Sequence, residues 1–390
     1  MDVRCPTSEL NMKKGILIAF GELFLKSEGV KKLFQKKLIN NLYFFLKKEK
    51  VDFKILSFRE RIFIETNQNL KAKKIIKRTF GIAWFSDSFY FFNLKELIYF
   101  INNNYKEYIG KGESFAIRMK KDREVIDKIA KLINRKVNLD RPKRELFIEQ
   151  RPSLPRLAGC EGKNKKYFLY FKKIKGAGGL PVSSSGKVLS LVSGGIDSPV
   201  AAFLAAKRGA ENIWLHFHSF PLVSNASIEK TKELAQVFKK YQPNLKIYFI
   251  PFQKAQLEIK TKTPAKYRIL LYRRLMFKIA ERIAKKENCS ALVTGESLGQ
   301  VSSQTLPNMK IIEQAVKIPV LRPLIGFDKE EIIKIGQSIG TFNISIKPQE
   351  DCCTLFVPKH QTAEGKMDVV KELEKKINKP ALTGLTTLFA

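Results

Sequence analysis

The residues best suited to chemistry stand together at Ser193-Gly194-Gly195-Ile196-Asp197-Ser198, with Pro199 and an Ala-rich stretch behind them. Two glycines let a backbone turn tightly and approach an anion, and the N–H groups of such a turn point inward with those of a helix N-terminus. Ser193 and Ser198 add hydroxyls, and Pro199 suits the first turn of a helix, where a missing N–H costs nothing. The set reads as a cradle for phosphate. No Gly-Lys-Ser/Thr follows, so this is not the P-loop of kinases and GTPases. A carboxylate inside a phosphate cradle repels its ligand unless a cation is shared, so Asp197 points to Mg²⁺. The plainer reading is an ordinary Gly-rich strand-to-helix turn. The apolar strand before it, the Asp-Ser pair and the helix after it favour the cradle.

Such a turn needs a strand and a helix to hold it. Apolar runs at 188–192, 213–217, 246–250 and 291–294 read as strands, separated by helices around 199–208, 227–241 and 267–286. In the second helix Leu234, Val237, Phe238 and Tyr241 keep helical spacing. Strand–helix alternation with apolar strands predicts a doubly wound parallel sheet, which binds ligands beyond the carboxyl ends of its strands. Ahead of it, Gly176 to Gly186 is so rich in Gly, Pro and Ser that it reads as a linker outside any helix or strand. The sequence therefore divides into 1–66, 67–175, the linker 176–186 and 187–390.

The first two parts are small α+β units. In 1–66, a strand over 13–20 precedes a helix over 30–48 with Phe34, Leu38, Leu42 and Phe45 on one face, and a strand follows at 61–65. In 67–175 the clearest strand is 115–120, with Phe115, Ile117 and Met119 inward and Arg118 and Lys120 outward. A helix near 123–134 and strands at 145–150 and 167–175 complete it. Basic residues on an open sheet face fit a solvated surface and a phosphate-contacting one equally well.

The 390 residues include 72 Lys+Arg against 37 Asp+Glu, a net +35, and 44% are hydrophobic. That hydrophobic content supports real cores and excludes global disorder. No run of about eighteen uncharged apolar residues occurs, so no membrane span is expected. A signal-peptide pattern is missing from the first residues, and five cysteines do not make a disulfide framework. A cytoplasmic location is the expectation. The basic excess points to a polyanion, nucleic acid first. Codon bias in an AT-rich genome also enriches Lys, Ile, Asn and Phe. Yet residues 1–176 hold 41 basic against 19 acidic residues, a net +22, and the longer remainder holds only +13. Codon bias alone does not concentrate charge in this way.

Ser-Gly-Gly-Ile-Asp-Ser is similar to the signature of the PP-loop ATP pyrophosphatases, which split ATP to AMP and pyrophosphate by adenylating a substrate. Within them the chain resembles the tRNA 4-thiouridine synthetase (ThiI) family along nearly its whole length. The resemblance is carried by Gly21 to Lys26, Val137-Asn138-Leu139-Asp140-Arg141-Pro142, Gly176 to Val182, His216-Phe217-His218-Ser219-Phe220-Pro221, Thr294 to Val301, Arg322 to Lys329 and Asp351-Cys352-Cys353. It implies an N-terminal ferredoxin-like domain, a THUMP RNA-binding domain and a PP-loop domain.

It also implies an activity. Family members adenylate O4 of the uridine at tRNA position eight and replace that oxygen with sulfur. Ser193, Gly194, Gly195, Asp197 and Ser198 would hold the pyrophosphate and its Mg²⁺. Leu191, Val192, His216, Phe217, Arg273, Gly295 and Gln304 would complete the ATP pocket, with His216 as a wall and not as an acid or base. Among the nearby arginines, Arg268, Arg273 and Arg274 could equally cap a helix or sit solvated. Cys353 matches the sulfur-handling cysteine, as a thiolate nucleophile requires, and Lys329 matches a lysine needed for activity. Asp197 joins them in the catalytic set. Arg118, Lys120, Arg141, Lys143 and Arg144 are the candidate RNA contacts.

Two departures stand out. With the sequence ending at Ala390, a form without the rhodanese domain is expected, and a cysteine desulfurase or a separate persulfide carrier is the expected sulfur donor. Family association with thiamine biosynthesis belongs to that domain in some relatives. No Cys-x-x-Cys pair precedes Cys353, and Cys5, Cys160 and Cys289 are scattered, so no iron–sulfur cluster is expected. A homodimer follows from the resemblance alone. Two other readings are a different PP-loop adenylating enzyme, which would lack the basic N-terminal half, and an RNA-binding protein with a decayed loop.

Overall fold

The structure, a computed structural model, describes residues 12–21, 27–120, 122–152, 165–348, 356, 361–378 and 386–389. The chain forms two compact units that divide between Leu180 and Pro181, inside the expected linker.

The first unit runs β1 (Met12–Phe20), α1 (Glu28–Lys48), β2 (Lys54–Phe58), β3 (Arg61–Glu65), α2 (Asn69–Arg78), β4 (Ile82–Phe91), α3 (Leu94–Tyr108), β5 (Phe115–Met119), α4 (Arg123–Leu132), β6 (Arg144–Pro152), β7 (Lys165–Tyr170) and β8 (Ile174–Gly178). Its strands form one sheet in the order β2-β3-β1-β4-β7-β6-β5, with β8 also on β4. All pairs are antiparallel except β5 with β6. Leu38, Leu42 and Phe45 of the α1 stripe pack on Ile16, Ile18, Ile62 and Ile64, as their spacing predicts, while Phe34 packs with Leu180 in a separate small cluster. The same core takes in Ala72, Ile75 and Ile76 of α2 and Ile82 and Phe85 of β4. A division at residue 66 therefore cuts a continuous core. Phe91 at the far end of β4 belongs to a second core with Phe100, Phe115, Ile129 and Leu146. The two cores thus share one ten-residue strand.

Three local expectations are corrected. Met119 is half-buried instead of facing the core, while Ala116 is fully buried. The strand expected at 167–175 is two strands, β7 and β8. Residues 176–178, read as linker, lie in β8: a Cβ at Gly176 would sit 2.3 Å from the Ile82 carbonyl oxygen, so glycine is what lets β8 pair so closely with β4.

The second unit runs β9 (Lys187–Leu191), α5 (Asp197–Lys207), β10 (Glu211–His218), α6 (Ala226–Phe238), β11 (Lys246–Pro251), α7 (Gln253–Lys262), α8 (Arg268–Lys286), β12 (Ala291–Val293), α9 (Leu306–Glu313), β13 (Val320–Leu321), α10 (Lys329–Ile339), α11 (Phe342–Ser345), α12 (Met367–Lys375) and β14 (Thr386–Phe389). Its sheet has the order β13-β12-β9-β10-β11-β14, parallel except for β14 against β11. Leu189, Leu215 and Leu292 bury one face against Leu271, Leu275 and Ile279 of α8. Val188, Ala291 and Val293 bury the other against α5 and α10. The sheet is doubly wound, and β9, which ends in the Ser-Gly-Gly turn, lies in its interior. No helix of the described residues is long and apolar enough to cross a membrane.

Candidate active site

Between β9 and α5 the backbone reverses at Gly194, whose φ of 84° suits glycine. The Ser193 N–H donates to Ser198 Oγ at 3.0 Å, and the Gly195 N–H reaches Ser193 Oγ at 3.4 Å. Asp197 opens α5, where a helix N-terminus favours an anion. Its Oδ1 accepts from Lys329 Nζ at 2.6 Å and its Oδ2 from Gln300 Nε2 at 3.1 Å. Lys329 is the first residue of α10, and a capping box fixes that start: Asp328 accepts from the Glu331 N–H and Glu331 from the Asp328 N–H. A helix-start lysine is thereby aimed at the acid of the cradle.

Of the twelve residues expected around the nucleotide, eleven line one cavity of about 180 Å³ at the carboxyl ends of the strands, and Gly194 shapes the turn behind it. His216 forms part of its wall. Nδ1 lies 2.8 Å from the Val192 carbonyl oxygen and Nε2 3.2 Å from Ser227 Oγ. Burial lowers its pKa to about 4, so the ring is neutral near pH 7. Gln304 closes a short 3-10 turn and accepts from the Ser297 N–H at 3.3 Å.

The three arginines of α8 separate by position. Arg268 donates to the carbonyls of Lys260 and Phe356. Arg274 is buried against Glu374 of α12 at 2.9 and 3.0 Å. Arg273 lines the cavity and pairs with Glu296. Glu296 is 2% exposed and its Oε2 also accepts from Arg322 Nε at 2.8 Å and Thr294 Oγ1 at 2.9 Å. Burial pushes the Glu296 carboxyl up, but Arg273 and then Arg322 outweigh it and hold it below the usual carboxylate range.

Gly295 is needed for close packing. A Cβ there would lie 2.8 Å from the Ser198 nitrogen, so the backbone after β12 rests directly on the first turn of α5. Sequence reasoning missed Thr294, Glu296, Gln300 and Ser227. The available signal was a glutamate just past the carboxyl end of a strand in a sheet of this class. Cys353 lies outside the described residues, as do Cys352 and Asp351.

In the first unit the candidate RNA contacts differ among themselves. Arg118 pairs with Glu145 at 2.7 Å and donates to the Leu139 carbonyl, and Arg144 pairs with Glu113 at 2.9 Å. Lys120, Arg141 and Lys143 are exposed and join no ion pair among the described residues. Arg118 and Lys120 border a groove of about 480 Å³ with Phe147, Arg151, Tyr170 and Lys173. There Phe147 stacks on Tyr170 with centroids 5.1 Å apart, and the Lys173 ammonium sits 4.4 Å from the Phe147 centroid. Tyr170 is buried, with its hydroxyl donating to Glu149 at 2.9 Å, so the cations at the rim are what the groove offers to a polyanion.

Residues 183–379 match the family described as thiamine biosynthesis protein (ThiI), and residues 15–86 match the ThiI ferredoxin-like domain. A probable tRNA sulfurtransferase of Caldanaerobacter subterraneus subsp. tengcongensis is 38% identical over 389 residues, covering 94% of this chain and 96% of its own length. The chain belongs to the ThiI family. A second relative, a probable tRNA sulfurtransferase of Thermus thermophilus, is 51% identical over 210 residues, which cover 54% of this chain and 52% of its own. A solved 4-thiouridine synthetase in complex with RNA and bound ATP superposes with a TM-score of 0.83 at 31% identity, covering 97% of this chain and 99% of that one. The ferredoxin-like match runs past residue 66 to residue 86, through α2 and into β4, over the continuous core described above.

Proposed function

We propose that the protein is an ATP-dependent tRNA uracil 4-sulfurtransferase that makes 4-thiouridine at tRNA position eight. The observation that carries this reading is the single cavity holding the Ser193–Ser198 turn and Arg273, with Lys329 2.6 Å from Asp197 at its edge. Family membership and the likeness to an RNA- and ATP-bound synthetase support it.

The residues divide the work by their chemistry. The turn and the N-terminus of α5 offer N–H groups to the leaving pyrophosphate. Arg273 and Lys329 supply positive charge as negative charge gathers on the phosphates. His216, neutral, packs with Phe217 as a wall. Asp197 is the carboxylate suited to Mg²⁺: the described residues form no cluster of three or more metal-ligating groups, and Mg²⁺ at nucleotide sites is commonly held by one or two carboxylates together with substrate phosphates. Mg²⁺ there would neutralise phosphate charge. Uridine O4 attacks the α-phosphorus, an O4–P bond forms as the α–β phosphoanhydride bond breaks and pyrophosphate leaves, and O4 then bridges C4 and the AMP group. The outer sulfur of a persulfide on Cys353 then bonds to C4 as the C4–O4 bond breaks and AMP leaves with that oxygen; a second thiol attacks Cys353 Sγ, which leaves the sulfur on C4 and a disulfide at Cys353.

The same reading places a THUMP domain after the ferredoxin-like match that ends at residue 86, docking tRNA through Lys120, Arg141 and Lys143 and the groove beside Lys120. It also takes the active form to be a homodimer without an iron–sulfur cluster, supplied by a cysteine desulfurase or separate persulfide carrier. The test combines the purified chain with ATP, Mg²⁺, unmodified tRNA and a persulfide donor, and follows pyrophosphate and 4-thiouridine by mass spectrometry. Cys353→Ser is expected to abolish 4-thiouridine and keep tRNA affinity. Normal 4-thiouridine formation by that variant removes Cys353 from its role. No tRNA-dependent pyrophosphate release from the unaltered chain leaves only an RNA-binding protein.

A further inference from the structure

We propose that Glu296 is a positioning residue that fixes the Arg273 guanidinium toward the triphosphate; this rests on reading the cavity as a nucleotide site. A carboxylate in the wall of an anion site works against the ligand, and burying it is costly unless it is paired. Glu296 is nevertheless 2% exposed and lines the same cavity as Ser193 and Ser198. Its pairing explains its presence. One carboxylate oxygen takes Arg273 of α8, and the other takes Arg322 and Thr294. Arg322 in turn donates to Glu313 at 2.8 Å. The row Glu313–Arg322–Glu296–Arg273 alternates in charge, cancels overall and ends on a guanidinium at the cavity.

The row is also tied to the phosphate turn through the backbone. Gly295, the neighbour of Glu296, rests on Asp197 and Ser198 so closely that no side chain fits between. Glu296 is therefore set at a fixed offset from the turn, and Arg273 inherits that offset. An arginine side chain carries roughly 2 kcal/mol of rotamer entropy, so ordering it in advance spares the ligand that cost.

The test uses the full chain and measures binding of Mg-ATP and of adenosine by calorimetry, with thermal melting alongside. Glu296→Gln keeps the shape and removes the charge. The expected result is a roughly tenfold rise in Kd for ATP with the Kd for adenosine unchanged, because only the triphosphate meets Arg273. In an Arg273→Ala background, where Glu296 stays paired with Arg322 and Thr294, the same change is expected to have no further effect on ATP. A merely structural role would weaken ATP and adenosine alike. Equal weakening of the two ligands, an unchanged Kd for ATP, or the full loss persisting without Arg273 each overturns the proposal. Should Glu296→Gln fail to fold, Arg322→Met, which frees Glu296 on its far side, is read by the same comparison. Failure of the unaltered chain to bind ATP at all instead overturns the nucleotide-site reading.

Discussion

Replacing Gly295 with alanine tests the packing on which the whole cradle depends. The added Cβ would lie 2.8 Å from the Ser198 nitrogen and 2.9 Å from both the Asp197 carbonyl carbon and Ser198 Cα. Ordinary contacts between such atoms are near 3.5–4.0 Å, so something must move by about 0.7 Å or more. All three atoms are backbone, and they form the first turn of the helix that presents the cradle. No flexible side chain can yield in their place. Overpacking of this kind costs about 1–3 kcal/mol. For a unit of this size each kcal/mol lowers Tm by about 2–4 °C, so a fall of roughly 2–12 °C is expected. Displacing the Asp197–Ser198 peptide also shifts the N–H groups that the proposed function assigns to phosphate, and the Kd for Mg-ATP should rise at least tenfold, about 1.4 kcal/mol. Differential scanning fluorimetry and calorimetry read the two effects. Gly326→Ala is the control, since a Cβ at that position meets nothing within 4 Å. If Gly295→Ala matches the unaltered chain in Tm and in Kd, or if Gly326→Ala suffers equally, the packing argument fails.

Lys329→Met should separate activity from stability. The Lys329–Asp197 pair is partly exposed, and such pairs contribute only about 0–1 kcal/mol, yet under the proposed function loss of this charge should slow tRNA-dependent pyrophosphate release roughly 100-fold or more. A normal release rate in that variant removes Lys329 from catalysis. His216 makes stability depend on pH in a defined direction. Its folded pKa of about 4 lies below the ordinary 6.5, so the unfolded chain takes up the proton first, and stability present above pH 6.5 is lost as pH falls toward 4. By linkage the loss between about pH 7.5 and pH 5 is about 2 kcal/mol. His216→Gln should be spared it in urea titrations, and parallel pH profiles for the two proteins would contradict the assignment. Finally, replacing Lys120, Arg141 and Lys143 together by alanine should lower the slope of log K against log salt for tRNA binding by about 2–3; an unchanged slope in anisotropy titrations places the tRNA elsewhere.

What was legible in the residues was short-ranged. Ser193 to Ser198 is a local arrangement whose glycines, hydroxyls and acid state their chemistry within six positions, and β9 and α5 are the elements it requires. The β-strands around it were readable for a similar reason: strands of a doubly wound sheet are buried on both faces and appear as apolar runs. What the sequence concealed depends on partners far along the chain. Gln300 meets Asp197 across 103 positions and Lys329 does so across 132. Glu296 finds Arg273 23 positions before it and Arg322 26 after it because β12 and β13 are neighbours in the sheet and α8 packs beside them. Arg118 and Arg144 read as open cations until Glu145 and Glu113 are brought against them. Gly176 illustrates the opposite error, since a glycine that breaks the pattern of a strand is here the residue that permits one. Residue types at close spacing can therefore name the atoms that would meet a phosphate. The groups that hold those atoms in place come from strands and helices whose adjacency only the sheet order supplies, which is why a buried carboxylate between two arginines had to wait for the fold.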